Sequence, residues 1–217
     1  MIKMKKILLY LTVLTSIFTF SVKANAETKT SSENKFVYDE LPKDSKKLFS
    51  KHGQWVMYLL IIPILLIAYI GIKVRLTYTT GMMFSKLSLI VGVVVSLFFL
   101  AVHELIHAMC CPKGTVVYMY AVPLGLCAIP TQPLRKYRYL FMVIMPTIVL
   151  GVVPFIVWLC TPALGIEISS ALFGFAMGSL SMCIGDINNA ILSMVKMKPN
   201  SVLITSETDC YYFENKR

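Results

Sequence analysis

Residues 97–109 read L-F-F-L-A-V-H-E-L-I-H-A-M. His103, Glu104 and His107 are the ionisable groups in an otherwise apolar run. Such groups cost several kcal/mol inside a membrane span unless they are paired, so they mark function there. On a helix, positions four apart share a face, and both imidazoles can meet one metal ion. Glu104 sits beside the first histidine. Zinc lowers the pKa of its water to about 7, and a neighbouring glutamate takes the proton as hydroxide attacks a carbonyl. The chain has three histidines in all, and two of them stand here. The competing reading is a hydrogen-bonded polar cluster that glues helices together without metal.

The rest of the chain agrees with a membrane setting. Of its 217 residues, 57% are hydrophobic and only 15% are charged. A soluble domain carries nearer a quarter charged residues. Four apolar stretches reach the ~20 residues that a bilayer requires. They run from about Trp55 to Ile72, Leu87 to Cys111, Tyr139 to Cys160 and Ile166 to Val195. The formal net charge is +10. Its bases flank the apolar runs and show no aromatic-basic stripe, which fits lipid head groups as partners and no nucleic acid. Pro146 and Pro154 are expected to kink the third span. Gly174, Gly178 and Gly185 suit close packing of the fourth.

The expected fold class is therefore an all-α membrane protein, with four transmembrane helices after a cleaved signal peptide. Residues 1–26 have the three parts of a secretory signal: early lysines, a short apolar run and Ala24-Asn25-Ala26. Residues 27–54 form a polar exported arm, flexible or weakly helical. Residues 55–195 form the four-helix membrane metalloprotease-like domain, and 196–217 a polar tail with weak strand alternation. Between spans two and three, Thr115 to Pro130 is apolar but broken by Pro123, Gly125 and Pro130. It reads either as a hairpin dipping into the membrane or as an interfacial loop.

Catalytic zinc usually keeps three protein ligands and one open position. Depth selects the third. His103 lies ten positions before Lys113, roughly 15 Å of helix, and Asp186 lies ten positions before Lys196. Asp186 and Glu104 are the acids well inside apolar spans. Glu167 lies at the opposite end of its span, Asp209 in the tail, and His52 is set aside as starting from the wrong face. Asn189, three positions after Asp186, shares its helical face and would orient the aspartate or donate to a developing oxyanion. Asn188 is the alternative. Of the cysteines at 110, 111, 127, 160, 183 and 210, Cys110 and Cys111 stay open as extra ligands, although they lack C-x-x-C spacing.

With H-E-L-I-H-A in one span and G-D-I-N-N in a later one, the chain resembles a family of small bacterial membrane zincin peptidases. It is similar, more distantly, to the site-2 proteases. The resemblance runs from about Lys86 to the C-terminus. It implies His103, His107 and Asp186 as zinc ligands and Glu104 as catalytic base. It also implies a multi-pass protein of the cytoplasmic membrane that cuts a membrane or membrane-proximal protein. Two features depart from the site-2 pattern: Gly185-Asp186 stands where Asp-Gly is usual, and no PDZ-like domain is visible. The rival reading is a non-catalytic metal- or partner-binding membrane protein. A metal transporter is disfavoured, because spans one and three offer no polar stepping stones.

Sidedness is contested within the sequence. A cleaved signal places the arm, and with it the histidine end of span two, outside. The basic residues Lys113, Arg135, Lys136, Arg138, Lys196 and Lys198 crowd that same end and argue for the cytoplasm.

Overall fold

The computed structural model describes residues 28–30, 41–42, 44–49, 59–79, 84–122, 125–206 and 209–214. The expected signal peptide and its cleavage point lie outside the described residues, as does most of the expected arm.

Helices dominate. In chain order they are α1 (Ile61–Leu76), α2 (Lys86–Phe98), α3 (Leu100–Met109), α4 (Lys136–Pro146), α5 (Val153–Cys160), α6 (Ile166–Met182) and α7 (Ile184–Lys196). A π-helical segment, Thr147–Val152, joins α4 to α5 without interruption. Lys136–Cys160 is thus one element of 25 residues, long and apolar enough to cross a membrane. The pairs α2–α3 and α6–α7 have the length and composition of spans only when each is taken together, and they bend by 43° and 45°.

The two bends have similar causes. Ser96 turns its hydroxyl onto the Val93 carbonyl just before the break at Phe99. Ser181 bonds the Met177 carbonyl just before the break at Cys183. A serine that bonds back into its own helix competes with the backbone ladder and bends it. The carriers of the expected ligands, α3 and α7, therefore start immediately after bends.

Glycines set how closely the spans pack. A Cβ on Gly92 would strike the Ala171 carbonyl, and one on Gly174 would strike the Leu89 carbonyl. These contacts bring the α2 and α6 backbones together, as small residues do between helices in a bilayer. Beyond them lies an aromatic cluster of Phe84, Phe155, Trp158 and Phe173. Buried Arg75 lies over the Trp158 ring at 4.7 Å and donates to the Trp158 and Thr161 carbonyls, which closes the end of α5.

Two small sheets stand at the other end, where an all-helical reading has none. One has strand order β1-β3-β4, from β1 (Thr28–Thr30), β3 (Val117–Val122) and β4 (Gly125–Pro130). The interrupted stretch before span three is thus a hairpin, with Met119 opposite Ala128. The second sheet has order β2-β7-β6-β5, from β2 (Lys46–Lys47), β7 (Asp209–Glu214), β6 (Ser201–Ser206) and β5 (Leu134–Arg135). The tail is therefore a hairpin, and part of the arm is its edge strand. Lys46 and Lys47 pair with Tyr212 and Tyr211, Lys47 forms an ion pair with Asp209, and Lys196 donates to the Leu48 carbonyl. These ties depend on partners far along the chain, so the local polarity of the arm does not announce them. Between the sheets and helices sits a core that includes Leu48, Ile106, Val117, Leu134, Tyr139 and Leu203.

A candidate metal centre at the sheet end

Helix α3 carries His103, Glu104 and His107, all buried. Helix α7 brings Asp186 to them from its first turn. Asp186 Oδ2 lies 2.8 Å from His103 Nε2 and 3.4 Å from His107 Nε2. The two Nε2 atoms are 3.1 Å apart. Three ligand-type atoms from two bent helix pairs thus point at one another.

The spacing suits zinc. Bonds of about 2.0–2.1 Å in a tetrahedron put neighbouring ligand atoms about 3.3 Å apart, near the 3.1 and 3.4 Å edges and longer than the 2.8 Å edge. The hydrogen bonding suits it too. Asp186 Oδ2 is buried and forms no hydrogen bond among the described residues, so its approach to the imidazoles is contact without hydrogen-bond geometry. His107 donates from Nδ1 to the Met142 carbonyl at 2.9 Å. That bond leaves the Nε2 lone pair aimed at Asp186 and His103, the tautomer a metal ligand needs.

Glu104 stands beside the triangle. Its Oε2 accepts the backbone N–H of Ala128 in β4 at 2.8 Å, and its Oε1 is 4.0 Å from His103 Nε2. The carboxylate is fixed at one oxygen by the sheet and turned toward the ligands with the other.

Above the site opens a cleft of about 260 Å³, lined by Glu104, His107 and Asp186 together with Phe49, Ala128 and Asn189 among others. Of the two asparagines singled out in the sequence, Asn189 reaches this cleft. Asn188 is fully buried, with its Oδ1 unpartnered among the described residues. Phe49, three positions before His52, lines this cleft, which removes the ground on which His52 was set aside. His52 itself falls outside the described residues.

The cysteines sort differently from their order in sequence. Cys111 Sγ lies 3.6 Å from both the His107 carbonyl and Met142 Sδ, away from the ligand triangle. Buried Cys183 puts its thiol 3.7 Å from His103 Nδ1, the ring nitrogen turned away from the triangle. His103, Cys183 and Asp186 form one group able to hold a metal, and His103, Glu104 and His107 form another. Sequence spacing hides Cys183, because it belongs to the bend before Asp186. Cys210 lines the cleft from β7, where burial pushes its thiol above the ordinary range. The Ala128 N–H and the Met142 carbonyl were also hidden, since backbone groups leave no residue-type signature.

No curated protein and no solved structure matches the chain. Residues 96–202, which include α3, both hairpin strands β3 and β4, the third span and α7, match the family described as "Putative zincin peptidase".

Proposed function

We propose that the protein is a membrane-embedded zinc metalloprotease that hydrolyses a peptide bond in or near the bilayer. The observation that carries this is the meeting of His103 Nε2, His107 Nε2 and Asp186 Oδ2 beside Glu104, at the floor of a cleft. The match to a zincin peptidase family supports it.

The membrane setting rests on surface chemistry. Large apolar side chains stand exposed along the helices, including Ile62, Leu65, Leu66 and Ile70 on α1, Leu87 and Phe98 on α2, and Val195 on α7. Contiguous apolar surface of this kind needs lipid or a partner to cover it. Four spans, α1, α2–α3, α4–α5 and α6–α7, return the chain to its starting face. That agrees with the pairing of β2 in the arm with β7 in the tail.

His103, His107 and Asp186 would hold the zinc, which supplies a Lewis acid for the scissile carbonyl and acidifies water beside it. Glu104 takes the proton from the attacking water at its free Oε1 and returns it to the leaving amine. The Ala128 N–H holds the other oxygen and keeps the carboxylate aimed. Asn189, at the cleft wall, donates to the oxyanion as it develops. The sheet order leaves β4 with an edge unpaired among the described residues, and Ala128, Ile129 and Pro130 line the cleft. An extended substrate segment pairs its backbone with groups of this edge other than the Ala128 N–H, which stays on Glu104, and this takes the peptide independently of most of its side chains. In this reading the substrate is a membrane or membrane-proximal protein.

The test compares detergent-purified full chain with its Glu104→Gln variant, measuring zinc per chain and cleavage of a mixed peptide library by mass spectrometry. The expected result is about one zinc in both, with cleavage present in the first and about 10²–10⁴-fold lower in the second. A wild type without zinc under metal-replete expression sinks the reading. Zinc in both proteins with cleavage in neither favours a zinc site kept for structure alone.

A further inference from the structure

The Met142 carbonyl that holds His107 belongs to the middle of a helix, where carbonyls are normally occupied. An α-helix directs the N–H of residue i+4 at the carbonyl of residue i. For Met142 that residue is Pro146, which has no N–H. The next N–H, from Thr147, goes to the Ile144 carbonyl. A proline ring also crowds the carbonyl four residues before it and tilts it off the helix axis. Met142 thus presents a carbonyl free of its helical donor, and His107 Nδ1 takes it at 2.9 Å. The π-helical segment Thr147–Val152 begins directly after Pro146, so the span resumes in a changed register past this point. Such segments inside helices gather at functional sites.

We propose that Pro146 is a positioning residue for the metal centre: by leaving the Met142 carbonyl without its helical partner, it fixes the ring and tautomer of His107. This rests on the reading of His107 as a zinc ligand. It assigns the proline of the third span a role in the second span's chemistry, beyond any bend it makes. Pro154 provides the control for straightening of the span, because it stands beyond the π-helical segment and eight positions after Pro146, away from the Met142 carbonyl.

The experiment uses full-length protein in detergent, with histidines labelled by nitrogen-15. Three histidines give a spectrum that can be assigned by substitution. In the metal-free wild type, His107 is expected to carry its proton on Nδ1, with that N–H protected from exchange with water. Zinc affinity is measured by competition with a chromogenic chelator. Pro146→Ala, which restores the N–H, should lose about tenfold in zinc affinity, the scale of second-shell changes, and should expose the ring N–H to exchange. Pro154→Ala should keep wild-type affinity. A wild type with the His107 proton on Nε2, or with a freely exchanging Nδ1–H, overturns the proposal even if Pro146→Ala does not fold. So does a folded Pro146→Ala protein with unchanged affinity. A wild type that binds no zinc at all instead removes the metalloprotease reading on which the proposal stands.

Discussion

Asp186 Oδ2 stands 2.8 Å from His103 Nε2, although the two residues belong to different bent helix pairs. Each sits within about one turn of its bend. Phe99 breaks the helix before His103, and Cys183 breaks it before Asp186. The bends thus share the level of the ligands.

Removing the aspartate should therefore remove the metal. Asp186→Ala is expected to reduce zinc from about one per chain to background, with an affinity loss exceeding the about 10–100-fold typical of second-shell changes. Elemental analysis of purified protein checks this. Zinc retained at full occupancy would move the third ligand elsewhere, with Glu104, whose Oε1 is 4.0 Å from His103 Nε2, or Cys183 next in line.

The hydrogen bond from Ala128 to Glu104 gives a separable prediction. Ala128→Pro deletes that N–H, and an edge strand tolerates proline. A hydrogen bond to a charged group contributes about 1.5–3 kcal/mol, so the cleavage rate should drop about 10–100-fold. Zinc content should not change, since no ligand is touched. Cleavage at the wild-type rate would show that Glu104 keeps its aim by other means.

Packing of the spans depends on the glycines of α2 and α6. Gly174→Val would push a side chain into the Leu89 carbonyl, which is backbone and has little room to move. Overpacking of this kind costs about 1–3 kcal/mol and should lower the detergent melting temperature. Gly165→Ala meets no atom within 4 Å and should melt as wild type. Equal melting of all three proteins would mean that α2 and α6 do not depend on this approach.

Much of this site was legible because its chemistry violates its surroundings. His103, Glu104, His107 and Asp186 stand out from apolar helices, and equal depth paired Asp186 with the histidines before any geometry was known. The apolar stretches hold helices among the described residues, the second and fourth as bent pairs, with Pro146 and Pro154 bracketing the π segment of the third. What stayed hidden depends on backbone or on distant partners. The Ala128 N–H and the Met142 carbonyl exist in any sequence, and only Pro146, four positions after Met142, left a trace of the latter. Strand β2 has no local signal, since Lys46 and Lys47 are strand only by pairing with Tyr212 and Tyr211. Placing His52 on the wrong face conflicts with the span order itself, which puts the start of span one and the histidine end of span two on one face.

That connection bears on the contested orientation. Strand β2 and the Lys47–Asp209 pair hold the arm and the tail at one end, the end of the metal centre. Several cations that crowd this end also bind backbone carbonyls: Lys136 takes those of Met194 and Met197, Arg138 that of Cys111, and Lys196 that of Leu48. Their position has a structural cause besides the charge bias of cytoplasmic loops, so the exported orientation implied by a cleaved signal is the one to test. In a background with all six native cysteines replaced by serine, single cysteines at Asp44→Cys, Asn200→Cys and Gly165→Cys are challenged on intact cells with an impermeant maleimide. The first two should react and the third only after permeabilisation. The reverse pattern would place the metal centre at the cytoplasmic face and make the basic residues the better guide. Labelling of Asp44→Cys and Asn200→Cys from opposite faces would contradict the β2–β7 pairing itself, because one sheet does not span the bilayer with its edge strand left behind.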